Sequence, residues 1–397
     1  MKLSEKNSKV QGSVTLAIDS KAKEMLAEGK DVVSFGAGEP DFNTPKYIVD
    51  AAIKALCDGK TKYTAASGMP QLKKAISDDV NKRLNISTTP DQVVVSNGAK
   101  QALFNSLEMI CNPGDEVLIF SPYWVSYPEL VCLAGATPVF VPTITEQGFA
   151  PDLDAFEKAI TKNTKAVILN TPSNPSGAII PREAVEFIAK KAVENDFYII
   201  SDEIYDALIY DGEKHFSPMQ ISKEVQDHTI YVNGMSKSYA MTGWRVGYTL
   251  CEASLAKKMG AYQSHATGNI NSVAQNATII ALTEENTEFE AMYNEFVSRR
   301  NYMVKTINEC DVLSAQMPKG AFYVMVCIKD VLGKSVNGKK IASSMDFANI
   351  LLEEKLVAVV PGGPFGLDDH IRLSYATSQA NIEKGLERIC AFAKEAK

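Results

Sequence analysis

Short apolar runs alternate with longer amphipathic ones through the middle of the chain. QVVVSN (92–97), EVLIF (116–120), TPVFVPT (137–143), AVILN (166–170), FYIIS (197–201) and TIYVN (229–233) each read as a strand. Helical periodicity fills the gaps. GAKQALFNSLEMI (98–110) stops at Asn112-Pro113-Gly114, and PREAVEFIAKKAVEND (181–196) is amphipathic. Strands that are apolar throughout and separated by helices imply a parallel sheet covered on both faces. Such crossovers are right-handed almost without exception. Past residue 283 the pattern changes. A polar helical stretch (about 283–309) leads to AFYVMVCI (321–328), a helix near 345–355, VAVVPG (357–362) and HIRLSYA (370–376). The pattern predicts an α/β chain with a smaller α+β domain, joined by the N-terminal segment.

Ligands of open α/β sheets sit beyond the carboxyl ends of the strands. Those ends here read Ser96-Asn97-Gly98-Ala99-Lys100, Ser121-Pro122-Tyr123-Trp124, Asn170-Thr171-Pro172-Ser173-Asn174, Ser201-Asp202-Glu203-Ile204-Tyr205 and Asn233-Gly234-Met235-Ser236-Lys237. They offer a helix N-terminus, an aromatic ring, an amide, a carboxylate and an amine, which resemble the wall of one pocket.

Composition narrows the chemistry. The 397 residues carry a formal net charge of −7, with charged residues dispersed and no basic block, so nucleic acid is not an expected partner. No apolar run approaches the roughly 18 residues that span a bilayer. MKLSEKNSKVQGSV lacks the apolar core of a signal peptide. Seven scattered cysteines without a CxxC pair suit reduced thiols in a cytoplasm. Four scattered histidines suit neither a metal site nor a His-centred triad.

Lys237 follows a buried strand and is flanked by Tyr239, Ala240 and Met241. Partial burial and a nearby cation, Arg245, lower a lysine's pKa and make it a nucleophile toward aldehydes. With Ser236 beside it, the group reads as a Schiff-base lysine with a phosphate anchor. The glycine turn at Gly98 opening a helix at Ala99 and Lys100 offers free N–H groups as a second anchor. Asp202 is either an N-cap or the buried anion that keeps a ring nitrogen protonated. Tyr205 can lie near the same ring, and Trp124 is either a core aromatic or a stacking partner.

With Asn174-Pro175-Ser176-Gly177, Ser201 through Tyr205, Ser236 through Gly247 (SKSYAMTGWRVG) and Arg372-Leu373-Ser374-Tyr375-Ala376 in order, the chain resembles the class I aminotransferases, and the bacterial aspartate branch most. The resemblance extends to Gly36-Ala37-Gly38-Glu39-Pro40-Asp41-Phe42, Lys62-Tyr63 and Ser121 through Pro128. It implies pyridoxal 5'-phosphate as cofactor and the type I fold. It implies a large domain, residues 46–282, with a mostly parallel seven-stranded sheet, and a small domain of residues 1–45 plus 283–397. Lys237 would bind the cofactor covalently and move the Cα proton. Asp202 would pair with the ring nitrogen, and Asn174 and Tyr205 would bond the phenolic oxygen. Ser236, Arg245, Ala99 and Lys100 would hold the phosphate, and Trp124 would stack. Arg372 would grip the substrate α-carboxylate, helped by Asn174 and Gly38. Tyr63 would reach the phosphate of a second subunit, which implies a homodimer with shared sites.

The implied reaction moves an amino group from L-aspartate to 2-oxoglutarate by a ping-pong route. The substrates would be dicarboxylic amino acids and 2-oxo acids, with Lys100 reading the distal carboxylate. A cation at a helix N-terminus opposes the helix dipole unless an anion arrives. Two positions depart from the family pattern. Gly234 stands where relatives have a hydroxyl, and Gln11, with Lys9 nearby, stands where relatives acting on prephenate have a basic residue. Alternatives keep the cofactor: a broader, aromatic or prephenate specificity, or a β-lyase. GAGEPD (36–41) is too imperfect a GxGxxG for a nicotinamide enzyme.

Overall fold

The computed structural model describes Gly12 and residues 14–397; Lys9 and Gln11 lie outside the described residues. After a two-residue strand β1 (Val33–Ser34), eight strands build one sheet. In chain order they are β2 (Val93–Ser96), β3 (Glu116–Ser121), β4 (Thr137–Ile144), β5 (Ala150–Pro151), β6 (Thr164–Asn170), β7 (Tyr198–Asp202), β8 (Thr229–Gly234) and β9 (Gly247–Leu250). Their spatial order is β2-β9-β8-β7-β6-β3-β4-β5. Seven have four residues or more, and β5 is a two-residue antiparallel edge on β4.

The run from β4 through β3, β6 and β7 to β8 is parallel, as the helix-separated apolar strands require. β9 is the strand that the apolar pattern does not reveal. It runs antiparallel to both β8 and β2. The reason is its connection: residues 235–246 carry only a 3-10 turn at Thr242–Trp244, with no crossover helix, so the chain turns back. Lys237 lies in that reversal.

Alternation within strands divides the core. Val93 and Val95 pack with Ile76 and Tyr248 on one face, while Val94 packs with Leu103 and Leu107 on the other. Tyr231 and its neighbours Ile230 and Val232 divide the same way. All are fully or nearly fully buried, and each aliphatic side chain contributes about 1.5–3 kcal/mol of transfer free energy.

A second sheet is antiparallel, with β10 (Ser314–Ala315), β11 (Tyr323–Cys327), β16 (His370–Ser374) and β15 (Val360–Pro361) in that spatial order. β12 (Ser335–Val336) and β13 (Lys339–Lys340) form a separate hairpin. The run VAVVPG is two strands rather than one. β14 (Val357–Ala358) pairs in parallel with β1, and the chain then switches sheets so that β15 pairs with β16. The polar helix expected over 283–309 begins at Phe289, because the preceding helix ends at Thr283 and the polar stretch 284–288, with Asn286 and Thr287, breaks it. Among the described residues, no helix is long and apolar enough to cross a membrane.

Candidate active site

A cavity of about 640 Å³ lies at the carboxyl ends of the parallel strands, a size suited to a small-molecule ligand. It gathers Gly38, Ala99, Lys100, Trp124, Asn174, Asp202, Tyr205, Ser236, Lys237, Arg245 and Arg372, eleven of the twelve residues picked out in the sequence. The twelfth, Tyr63, lies outside it and is 98% exposed.

Asp202 ends β7 on the cavity floor. One carboxylate oxygen accepts from the Tyr127 hydroxyl at 2.7 Å and the other from the Ile204 N–H at 3.3 Å. Burial raises its pKa to about 6, against the pull of those two donors. No salt bridge among the described residues neutralises it. It is therefore a buried acceptor facing the cavity, and its N-cap alternative fails because β7 passes into turns rather than a helix.

Lys237 Nζ donates to the Gly38 carbonyl at 2.5 Å and lies 5.9 Å from the Tyr205 ring centroid. Burial lowers its pKa to about 8; Glu39 opposes this, and Arg245 and Arg372 add to it. Tyr205 is buried at the cavity wall, with its hydroxyl 3.0 Å from that of Tyr323, and burial pushes its pKa well up.

Two glycines let Arg245 and a helix N-terminus come together. Gly98 has φ +86°, and a Cβ there would lie 2.3 Å from an Arg245 guanidinium nitrogen. Gly247, in β9, lets that strand pass the first turn of helix Ala99–Ile110: a Cβ would meet the Ala99 nitrogen at 2.2 Å. Glycine thus brings Arg245 and the free N–H groups of Ala99 and Lys100 to one spot. Gly247→Ala is expected to destabilise the protein by about 2–3 kcal/mol through overpacking against backbone, read as a lower thermal midpoint. Gly234, the position without the hydroxyl, is itself confined. A Cβ there would lie 2.7 Å from the Val246 carbonyl oxygen.

Lys100 sits 4.8 Å over the Trp124 ring, its pKa lowered by burial and by Arg245. Arg372, on β16, is 3% exposed. It donates to Asn174 Oδ1 at 3.0 Å and to the Gly36 carbonyl at 3.1 Å, and its Nε has no partner among the described residues.

Tyr127, Tyr323, Asn170, Glu39 and Lys23 also line the cavity. Asn170 stands at a strand end picked out in the sequence and Glu39 in the GAGEPD run; Tyr127, Tyr323 and Lys23 have no role assigned from the sequence, because a helix, the second sheet and the N-terminal segment bring them in from a distance. Of these three, Tyr127 alone carried a local signal, standing three residues after Trp124. Among the described residues no cluster of histidine, cysteine or acidic side chains has the form of a metal site.

An amine, a buried carboxylate, two arginines and a helix N-terminus thus gather in one cavity at the strand ends of this fold. The chain belongs to the family of class I and II aminotransferases, whose profile matches residues 30–389. It is 45% identical over 382 residues to an aspartate aminotransferase of Bacillus sp. (strain YM-2), covering 96% of each chain. It is 44% identical over 388 residues to an aspartate/prephenate aminotransferase of Thermus thermophilus, covering 97% of each. The crystal structure of an aspartate aminotransferase from Rhizobium meliloti superposes with a TM-score of 0.96 at 38% identity, over the whole of both chains.

Proposed function

We infer that this site moves the amino group of L-aspartate to 2-oxoglutarate, giving oxaloacetate and L-glutamate. Aspartate binds, gives up its amino group and leaves; 2-oxoglutarate then occupies the same place and accepts it. The observation that carries the reading is the convergence of Lys237, Asp202, Arg245 and Arg372 on one cavity in a chain so close to aspartate aminotransferases.

The residues fit pyridoxal 5'-phosphate. The un-neutralised Asp202 carboxylate suits a protonated ring nitrogen, and the cup of Gly98, Ala99, Lys100, Ser236 and Arg245 suits its phosphate. Asn174 and Tyr205 would face its phenolic oxygen, and Trp124 its ring. When bound, this cofactor supplies an electron-withdrawing ring that makes the Cα–H bond of an amino acid acidic. The protein does the rest. Lys237 Nζ would hold the cofactor aldehyde and, as a free amine, would take and return the substrate Cα proton, a task matched to its lowered pKa. Arg372, with Asn174 and Gly38, fixes the α-carboxylate and so the direction of that bond.

Lys100 reads the distal carboxylate. Lys100→Ala is expected to raise KM for aspartate about tenfold or more while changing KM for alanine and phenylalanine less than twofold. Equal effects on all three would remove this role. The aromatic and prephenate readings differ only here and at the rim; a β-lyase would not need Lys100 in this place.

We place the division between domains at residues 46 and 283, so that the small domain, residues 1–45 plus 283–397, can close over the substrate. Tyr63, projecting 98% exposed, would complete the phosphate site of a second copy in a homodimer. The seven cysteines, scattered along the chain without a CxxC pair, accord with a cytoplasmic enzyme. The deciding experiment loads the purified protein with cofactor. Aspartate should bleach the visible absorbance, and 2-oxoglutarate should restore it. No bleaching by aspartate, with bleaching by another amino acid, would replace the substrate.

A further inference from the structure

One buried carboxylate beside the site has no part in the chemistry above. Glu203 is 0% exposed and directly follows Asp202. Strand alternation sends Asp202 toward the cavity and Ser201 and Glu203 behind the sheet. There Glu203 Oε1 accepts from Ser201 Oγ at 2.7 Å and from Ser217 Oγ at 2.6 Å, and Oε2 meets His215 Nε2. Its backbone N–H donates to the Val232 carbonyl of β8 at 2.9 Å. The His215 side chain is 6% exposed, and its Nδ1 has no partner among the described residues.

A buried anion is costly unless a cation and hydrogen bonds compensate it. Here the need is sharper, because an uncompensated charge at Glu203 would push protons onto the adjacent Asp202. Burial opposes a charge on His215, but Glu203 outweighs it and the ring's pKa rises. The remaining charges on this side are already matched: Arg83 pairs with Asp79 and Asp206, and Tyr231 and Asn233 also bond Asp206.

We propose that Glu203 and His215 are a positioning pair for Asp202: a buried carboxylate–imidazolium couple that pins the end of β7 from behind the sheet and leaves no net charge beside the ring-binding carboxylate. The inference rests on the reading of Asp202 given under the proposed function. Neither residue touches the cavity, so the pair acts only through Asp202.

The two halves of the pair are not equivalent, and that asymmetry is the test. His215→Gln leaves a buried anion next to Asp202. Glu203→Gln leaves an amide that still accepts from both serines and faces a histidine free to be neutral. Both variants, and the double variant, are compared with wild-type protein for cofactor affinity of the apoprotein by fluorescence titration, kcat and KM with aspartate, and thermal midpoint.

His215→Gln is expected to lower kcat and cofactor affinity at least about tenfold each, with KM for aspartate within about twofold. Glu203→Gln should lose less than about threefold, and adding it to His215→Gln should recover most of the loss. A merely structural anchor would instead give similar losses for both single variants, the greatest loss in the double variant, and effects that follow the thermal midpoint. That pattern, or wild-type affinity and turnover in His215→Gln, overturns the proposal. If His215→Gln does not fold, rescue of folding and affinity in the double variant supports the pair, and an unfolded double variant overturns it. Failure of wild-type protein to respond to aspartate would strike the functional reading alone, since cofactor affinity is measured without substrate.

Discussion

Replacing Lys237 with alanine is expected to reduce turnover of aspartate by about 10⁴-fold or more while leaving the thermal midpoint near that of the wild type. The side chain makes one hydrogen bond, to the Gly38 carbonyl, so the fold has little to lose. In the proposed mechanism the chemistry loses both its covalent handle and its proton carrier. A pKa of about 8 means that about half of the amine is neutral at pH 8, against well under one percent for an ordinary lysine. Because the shift is downward, the reactive fraction grows as pH rises through 8. Lys237→Arg separates charge from proton transfer: it keeps the cation but cannot release a proton near neutral pH, and is expected to be as inactive as the alanine variant. Borohydride reduction of the cofactor-loaded wild type followed by peptide mapping should place the label on Lys237. Turnover by Lys237→Ala within a hundredfold of wild type would contradict the role.

Much of this site was readable because each strand-end residue follows a short apolar run that announces its own strand. Asp202 follows FYIIS, and Lys237 lies four residues after TIYVN. The groups that tune them were not readable. Tyr127 reaches Asp202 across 75 residues of sequence and Tyr323 reaches Tyr205 across 118, so both contacts depend on how a helix and a second sheet pack against the first. β9 escaped for a different reason. Its four residues, Gly-Tyr-Thr-Leu, include a single aliphatic side chain, and its direction is set by the absence of a helix in the preceding loop. The sheet switch at Val359 was invisible because a continuous apolar run does not record which neighbour each residue pairs with. The lysine and its carboxylate were thus legible as residue types at strand ends, whereas their pKa values depend on burial and partners that only the assembled core supplies.

Replacing Arg372 with leucine should lower kcat/KM by about 10³-fold, or about 4 kcal/mol of transition-state binding, equally for aspartate, alanine and 2-oxoglutarate. The three share only the carboxylate next to the reacting carbon, so a uniform loss identifies that group as the one held. It also separates Arg372 from Lys100, whose loss should fall on the dicarboxylic substrates. Stability is expected to respond in the other direction. Arg372 lies over the Tyr323 and Phe365 rings, at 4.4 and 5.2 Å, and no carboxylate among the described residues pairs with it. Burial already presses its pKa downward. A guanidinium held this way stores desolvation cost that an incoming carboxylate relieves, which turns part of the folding free energy into substrate affinity. Leucine removes the cost together with the function, so the thermal midpoint should hold or rise by a few degrees. A fall of more than five degrees would mean that the bonds to Asn174 and Gly36 chiefly support the fold, and a loss confined to aspartate would move the α-carboxylate to another residue.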